Sequence, residues 1–397
     1  MSRWTRLVSV ALGIVGTAAL VAGCGSSSDA AGGPPGQPGG GGSPAPKSTQ
    51  ATTSTVPVAL AVTSISPAAG ATGVATDATL TVNYSLPITA ATPAPTLNPD
   101  VAGTWTRHGS TMAFLPTGGW MPWSTETVNV PAGATTTVNG LKTASAQATT
   151  SSFQVEAGSQ ARVEQMLAEL NYLPFSLTPA TPPAAKSTAA TGLATEPTSA
   201  NAVSTSALPG TLAWTWPTVP DTLRALWAPG TANTMDKGAI MAFQNVHGMK
   251  MDGVAGPQVW TALINAVAAR QVSPNPYDYL VATETVPEKL LVYRDGQVIY
   301  TTASNTGVPG ATTQKGTFPV YLRYASTTMS GTNVDGSKYV DPGIKWVAYF
   351  NGGDAVHAYV RRSYGFPQSN GCVELPTSNA AQVWTMDPYG TLVTVTS

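Results

Sequence analysis

Cys372 and His357 are the two residues of this 397-residue chain whose types and proximity in sequence could do covalent chemistry. Cys372 lies in Gln368-Ser369-Asn370-Gly371-Cys372-Val373-Glu374-Leu375, and His357 stands fifteen residues before it. A thiol attacks as its thiolate, and an imidazole within reach can take the proton. Gly371 gives the backbone freedom just before the nucleophile, and amides in such a turn can point at a developing oxyanion. The pair alone specifies no reaction, because His and Cys fall near each other by chance in many chains.

The only other cysteine is Cys24. Arg3 and Arg6 form a short positive segment, followed by an apolar stretch from Leu7 to Ala22 that is short for a membrane span. It closes on Val21-Ala22-Gly23-Cys24, which resembles a bacterial lipobox. That resemblance implies a signal peptide over 1–23, cleavage before Cys24 and acylation of its sulfur. Two or three acyl chains anchor a protein stably where one is marginal. The chain is then expected to be exported and lipid-anchored in the cell membrane, facing the wall. With Cys24 acylated, Cys372 has no disulfide partner, and a lone thiol in an oxidising compartment is a liability unless its reactivity is used.

Residues 24–56 are rich in Gly, Ser and Pro and read as a flexible tether. From 57 to 157 the pattern is all-β. Leu80–Tyr84, Thr127–Val130 and Ser152–Val155 alternate, with turn signals between them, which predicts a β-sandwich. Ser66 to Val74 resembles the opening of bacterial immunoglobulin-like domains. His108, beside Arg107 and Gly109, reads as a surface loop residue. Residues 158–272 read as helical. Helices are expected at 160–173, from about 235 to 247, and at 257–269 with Pro257 in the first turn, and a Thr/Ala/Pro/Ser-rich loop is inserted at 176–208. His247 is expected to cap the second of these. Phe243-Gln244 with Asp252 to Leu263 resembles small three-helix peptidoglycan-binding modules. From 277 to 397 the chain turns β-rich again, and Asp295-Gly296 between two alternating runs predicts a type I′ hairpin.

This last segment resembles the L,D-transpeptidase catalytic domain of bacterial cell walls. Three stretches carry the likeness: the hairpin leading into Ser304-Asn305-Thr306-Gly307, then Thr313 to Phe318, and finally Val356-His357 with Ser369-Asn370-Gly371-Cys372-Val373. The resemblance implies Cys372 as nucleophile, His357 as base, the amides of Gly371 and Cys372 for the oxyanion, and Ser369 as a shaper of the loop. It implies peptidoglycan stem peptides as donor and acceptor, 3→3 cross-linking with release of D-Ala, and reaction with carbapenems. Three departures stand out. Asn370 replaces a frequent His, Glu374 a frequent Arg or Asn, and Ala358 a usual Gly or Ser, which leaves only a backbone carbonyl to orient the imidazole. Glu374 reverses a charge near the site. Of Trp346, Tyr349 and Phe350, any could line the cleft, although strand aromatics are more often core. Tyr349 and Glu374 are the two cleft candidates.

The expected architecture is therefore multidomain and mainly β: an Ig-like β-sandwich, a small three-helix module and a mainly-β catalytic domain. No metal or other cofactor is implied, since the three His fall in different segments without ligand spacing. A net charge of −1 with only 10% charged residues gives no field for nucleic acid. Asp335-Gly336 and Asp341-Pro342-Gly343 read as turns. Two competing readings are an L,D-carboxypeptidase on the same site, if water resolves the thioester, and a non-catalytic wall-binding anchor.

Overall fold

A computed structural model describes residues 59–132, 135–138, 141–144, 147–180 and 202–397, leaving aside the side chains from 133 to 146. The expected signal peptide, Cys24 and the whole of the expected tether lie outside the described residues. Strands dominate, as expected, and three cores organise the rest.

The first unit is a sandwich. One sheet has the order β1 (Val62–Ser66), β2 (Leu80–Tyr84), β5 (Thr111–Pro116), β4 (Gly103–His108). The other is β3 (Thr96–Asn98), β6 (Thr125–Val130), β9 (Thr149–Gln154), with a separate β7 (Thr135–Val138) and β8 (Leu141–Ala144) hairpin. Alternation sends Leu80, Val82, Tyr84, Met112 and Phe114 inward, where they meet Val128, Val130 and Phe153. Trp120 sits in this core and donates its indole N–H to Ala78 O at 2.7 Å. His108 ends a strand rather than a loop, and it is exposed.

The helical unit holds α1 (Gln160–Glu169), β10 (Phe175–Pro179), β11 (Gly210–Trp214), α2 (Asp221–Arg224), α3 (Thr234–Val246) and α4 (Pro257–Ala269). α1 stops four residues short of the expected end, where Asn171 takes φ 60°. α3 starts on a capping box between Asn233 and Asp236. His247 is its C-cap and packs on Phe243, 4.1 Å between ring centroids. The expected loop at 176–208 begins inside a strand. Ser176-Leu177-Thr178 pairs with Thr211-Leu212-Ala213, and the alternation of that short run was hidden by the polar composition around it. The core of this unit, around Leu167, Phe243, Trp260 and Leu263, also takes in Tyr279, Val281 and Leu392 from the next unit. Gly238 of α3 and Gly390 lie so close that a Cβ on Gly390 would stand 2.2 Å from Gly238 O. The helical unit and the catalytic unit thus share one packed seam.

The last unit pairs two sheets. The larger has the order β14 (Gln297–Ala303), β13 (Lys289–Arg294), β12 (Asp278–Thr283), β20 (Leu392–Thr396), β15 (Gly316–Pro319), with β12 and β20 parallel. The smaller is β16 (Leu322–Thr332), β17 (Lys338–Asn351), β18 (Asp354–Ala358), β19 (Val373–Leu375), with β18 and β19 parallel. Leu280, Leu290, Val292 and Val393 of one sheet and Ala348, Phe350, Val356 and Val373 of the other fill the core between them, closed by α5 (Thr377–Val383). The β13–β14 turn has φ 52° at Asp295 and 76° at Gly296, as a type I′ turn requires. The expected turn at Asp341-Pro342-Gly343 lies instead within β17. Gly343 has positive φ there, and the β16 partner strand shifts register opposite, so the signal marks a bulge.

Candidate active site

His357 and Cys372 come together because β18 and β19 run side by side. Val356 pairs with Val373 and His357 with Glu374, which places Cys372 at the mouth of β19. Both side chains line one cleft of about 280 Å³, with Met329, Asn333 and Tyr339 of the long β16–β17 hairpin overhanging it.

His357 is 3% exposed, and its Nδ1 lies 3.0 Å from Ala358 O. An N–H at Nδ1 donating to that carbonyl leaves Nε2 unprotonated and free to accept. Burial pulls the imidazole below its ordinary pKa, so it is neutral at neutral pH. Cys372 is partly exposed, and its thiol contacts Gly353 O at 3.6 Å. Burial of the sulfur pushes its pKa up to about 12; Asp354 and Glu374 push the same way, and a backbone bond from Ala355 opposes them. Both shifts favour the uncharged forms, a thiol and a neutral imidazole.

The loop before Cys372 is held from behind. Ser369 Oγ donates to Cys372 O at 2.6 Å and accepts from Gly371 N at 3.2 Å. Of the two amides expected to serve the oxyanion, that of Gly371 is thus engaged with Ser369. Gly371 sits at φ 115°, and a Cβ there would stand 2.6 Å from Asp354 Oδ1. Only glycine fits. Asn370 is exposed and donates to Asn333 Oδ1 at 2.7 Å, tying the loop to the hairpin tip. The Ser304-Asn305-Thr306-Gly307 segment braces the other side. Thr306 O accepts from Gln368 N at 2.9 Å and Ser369 N at 3.0 Å. Thr306 in turn donates its N–H and hydroxyl to the fully buried Glu288 carboxylate at 2.6 and 2.7 Å.

Glu374 lines the cleft, but it does not present a bare negative charge. Arg361 grips it with two bonds of 2.8 Å each, a bidentate pair with side chains 29% and 5% exposed. Arg361 also stacks over Tyr359 at 4.5 Å. Tyr349 does not line the cleft that holds both reactive groups. It packs against Tyr321 and Tyr324, each 6.4 Å between centroids, near enough to the sulfur for a thiolate to oppose its ionisation. Phe350 is core, and Trp346 packs against that core beside Trp384. Arg361, Asp354 and Glu288 escaped the sequence reading. Arg361 left no local signal: alternation puts Glu374 on the face opposite Val373 and Leu375, and only the fold shows that this face is buried too.

A thiol, an anchored imidazole and a braced loop are groups with which thiol chemistry can be done. Comparison with known families agrees. Residues 278–395 match the L,D-transpeptidase catalytic domain, and residues 56–155 match the bacterial Ig-like domain. The chain therefore carries an L,D-transpeptidase catalytic domain behind an Ig-like domain, and it is an L,D-transpeptidase enzyme in the general sense that this domain defines. Among solved structures it is similar to an L,D-transpeptidase from Mycobacterium smegmatis (16% identity, 86% of this chain and 100% of that one, TM-score 0.28). It is also similar to L,D-transpeptidase 3 from Mycobacterium tuberculosis (14%, 85% and 99%, 0.28). The catalytic domain of the E. faecium L,D-transpeptidase matches at 26% identity over 31% of this chain and 98% of that one, TM-score 0.28. No curated protein matches the chain.

Proposed function

We propose that the enzyme joins peptidoglycan stem peptides by 3→3 cross-links through a thioester on Cys372. The observation that carries this reading is the anchored His357, whose free Nε2 shares a cleft with the thiol. Cys372 rotates away from Gly353 O, and His357 takes its proton as the sulfur attacks the carbonyl of the third stem residue. The C–N bond to D-Ala breaks, and the imidazolium returns the proton to the leaving amine. An amine from a neighbouring stem then attacks the thioester, gives its proton to His357 and frees the thiol. General acid–base help of this kind contributes roughly 10²–10⁴-fold. The amide of Gly371 reaches the oxyanion only by leaving Ser369 Oγ, so loop adjustment accompanies attack.

The proposal includes a lipid anchor at Cys24, followed by a tether that lets the catalytic unit reach the wall. Growth with a labelled fatty acid should label the parent and not Cys24→Ala. The reaction itself is tested with purified disaccharide-tetrapeptide. Mass spectrometry of the products should show dimers lacking one D-Ala and cross-linked between third residues. Tripeptide monomers alone would assign hydrolysis and refute cross-linking.

A further inference from the structure

The cleft that holds His357 and Cys372 carries one acid that the reaction above does not use. Asp341 lies in β17 two residues before Gly343, at the bulge, and lines the cleft together with its ladder partner Met329. A bulge re-aims the side chains beside it. Asp341 also lines a neighbouring cavity of about 480 Å³ that shares Ile344 and Tyr359 with the cleft, so its carboxylate stands where the two meet. It is half-buried. Tyr359 donates its hydroxyl to Oδ2 at 3.1 Å. Among the described residues nothing donates to Oδ1, and that oxygen is not closed off from solvent.

Nothing in the cleft cancels its charge. The other charged residues there, Arg361 and Glu374, are matched to each other through two bonds of 2.8 Å. Burial of His357 disfavours its cation. Lys345 lines only the neighbouring cavity, is exposed, and makes no ion pair with Asp341 among the described residues. One unmatched, accessible carboxylate oxygen thus faces a cleft where a cation is the complementary guest.

We propose that Asp341 selects donors whose third residue carries a protonated side-chain amine, the ammonium meeting Oδ1. This rests on the cross-linking reading, in which identical stems each carry that amine on the very residue whose carbonyl Cys372 attacks. Asp341 touches no reacting atom, so it sets donor specificity through binding.

The test compares three forms of purified disaccharide-tetrapeptide as donor: unmodified, reductively dimethylated on the amine, and acetylated on it. Dimethylation keeps the charge and adds bulk, whereas acetylation removes the charge. Hydroxylamine is the small neutral acceptor, and D-Ala release is measured. For the parent, the unmodified and dimethylated donors should both exceed the acetylated one in kcat/KM by roughly ten- to a hundredfold, with the difference in KM. Asp341→Asn should erase the preference and Asp341→Glu should keep it. The preference is a ratio within one enzyme, so a general loss caused by the substitution cancels. Equal use of all three donors by the parent, a dimethylated donor as poor as the acetylated one, or a preference retained by Asp341→Asn overturns the proposal and leaves transpeptidation standing. No D-Ala from any donor, on a parent that forms a carbapenem adduct, overturns the stem-peptide reading and this proposal with it.

Discussion

Replacing Arg361 by Gln leaves the Glu374 carboxylate buried directly behind His357 without its cation. Two charge-assisted bonds of 2.8 Å are lost from a carboxylate only 5% exposed. Breaking a fully buried pair costs about 3–5 kcal/mol. Arg361 is 29% exposed, so water screens part of the interaction, and about 2–3 kcal/mol is expected. The effect on chemistry has a definite sign. Arg361 lowers the His357 pKa and Glu374 raises it. Removing the cation alone therefore raises it, so more imidazole is protonated and useless as a base on the acid side. Carbapenem acylation of Arg361→Gln should fall more at pH 6 than at pH 8, and the acid limb of the rate profile should move to higher pH. Urea unfolding gives the stability change. The double variant with Glu374→Gln should recover much of both losses, since an uncharged pair leaves no buried ion. An unshifted acid limb with a stability change under about 0.5 kcal/mol would refute the argument, because so small a change is what an ordinary surface substitution gives.

Other outcomes follow from the same geometry. With His357 held below and Cys372 far above their ordinary values, parent acylation should show an acid limb below the usual histidine pKa of about 6.5 and no alkaline limb below about pH 9; a limb between these values would mean a resting thiolate. Gly371→Ala should slow acylation at least about a hundredfold while costing about 1–3 kcal/mol in unfolding, because its Cβ meets Asp354 and its φ is strained. Asp236 is lifted by burial, and by Glu164, to about 7, against an unfolded value near 3.9. Its protonated form is favoured in the fold, so its contribution is full below about pH 4 and is lost as pH rises to about 7, with a slope of up to about 1.4 kcal/mol per pH unit. Asp236→Asn should flatten unfolding free energy over that window, as urea titrations from pH 4 to 8 would show.

Much of the architecture was legible because local signals agreed with it. The alternation of Leu80–Tyr84 reports one buried face, and Asp295-Gly296 fixes a hairpin by its own φ preferences. Pro257 opens α4 at the first turn, where its missing N–H costs nothing. What escaped depends on partners distant in sequence. The seam at Gly238 and Gly390 joins residues that no local pattern links. The strand at Phe175–Pro179 needs Gly210–Trp214 across a long connection to exist at all. At the site, the types of His357 and Cys372 announced chemistry, and Ala358 left the backbone carbonyl that does bond the imidazole. The Glu374 charge was misjudged because its cation comes from Arg361, beyond the strand. Glu288 and Thr306 brace the loop through contacts that only the fold creates.

We propose Cys372 as an acyl-accepting nucleophile activated by His357. Intact mass after incubation with a carbapenem tests it most directly, on the parent, Cys372→Ala and His357→Ala. A covalent adduct of full carbapenem mass is expected on the parent, none on Cys372→Ala, and slow, incomplete labelling of His357→Ala. An adduct retained by Cys372→Ala, or none on a folded parent, would contradict it.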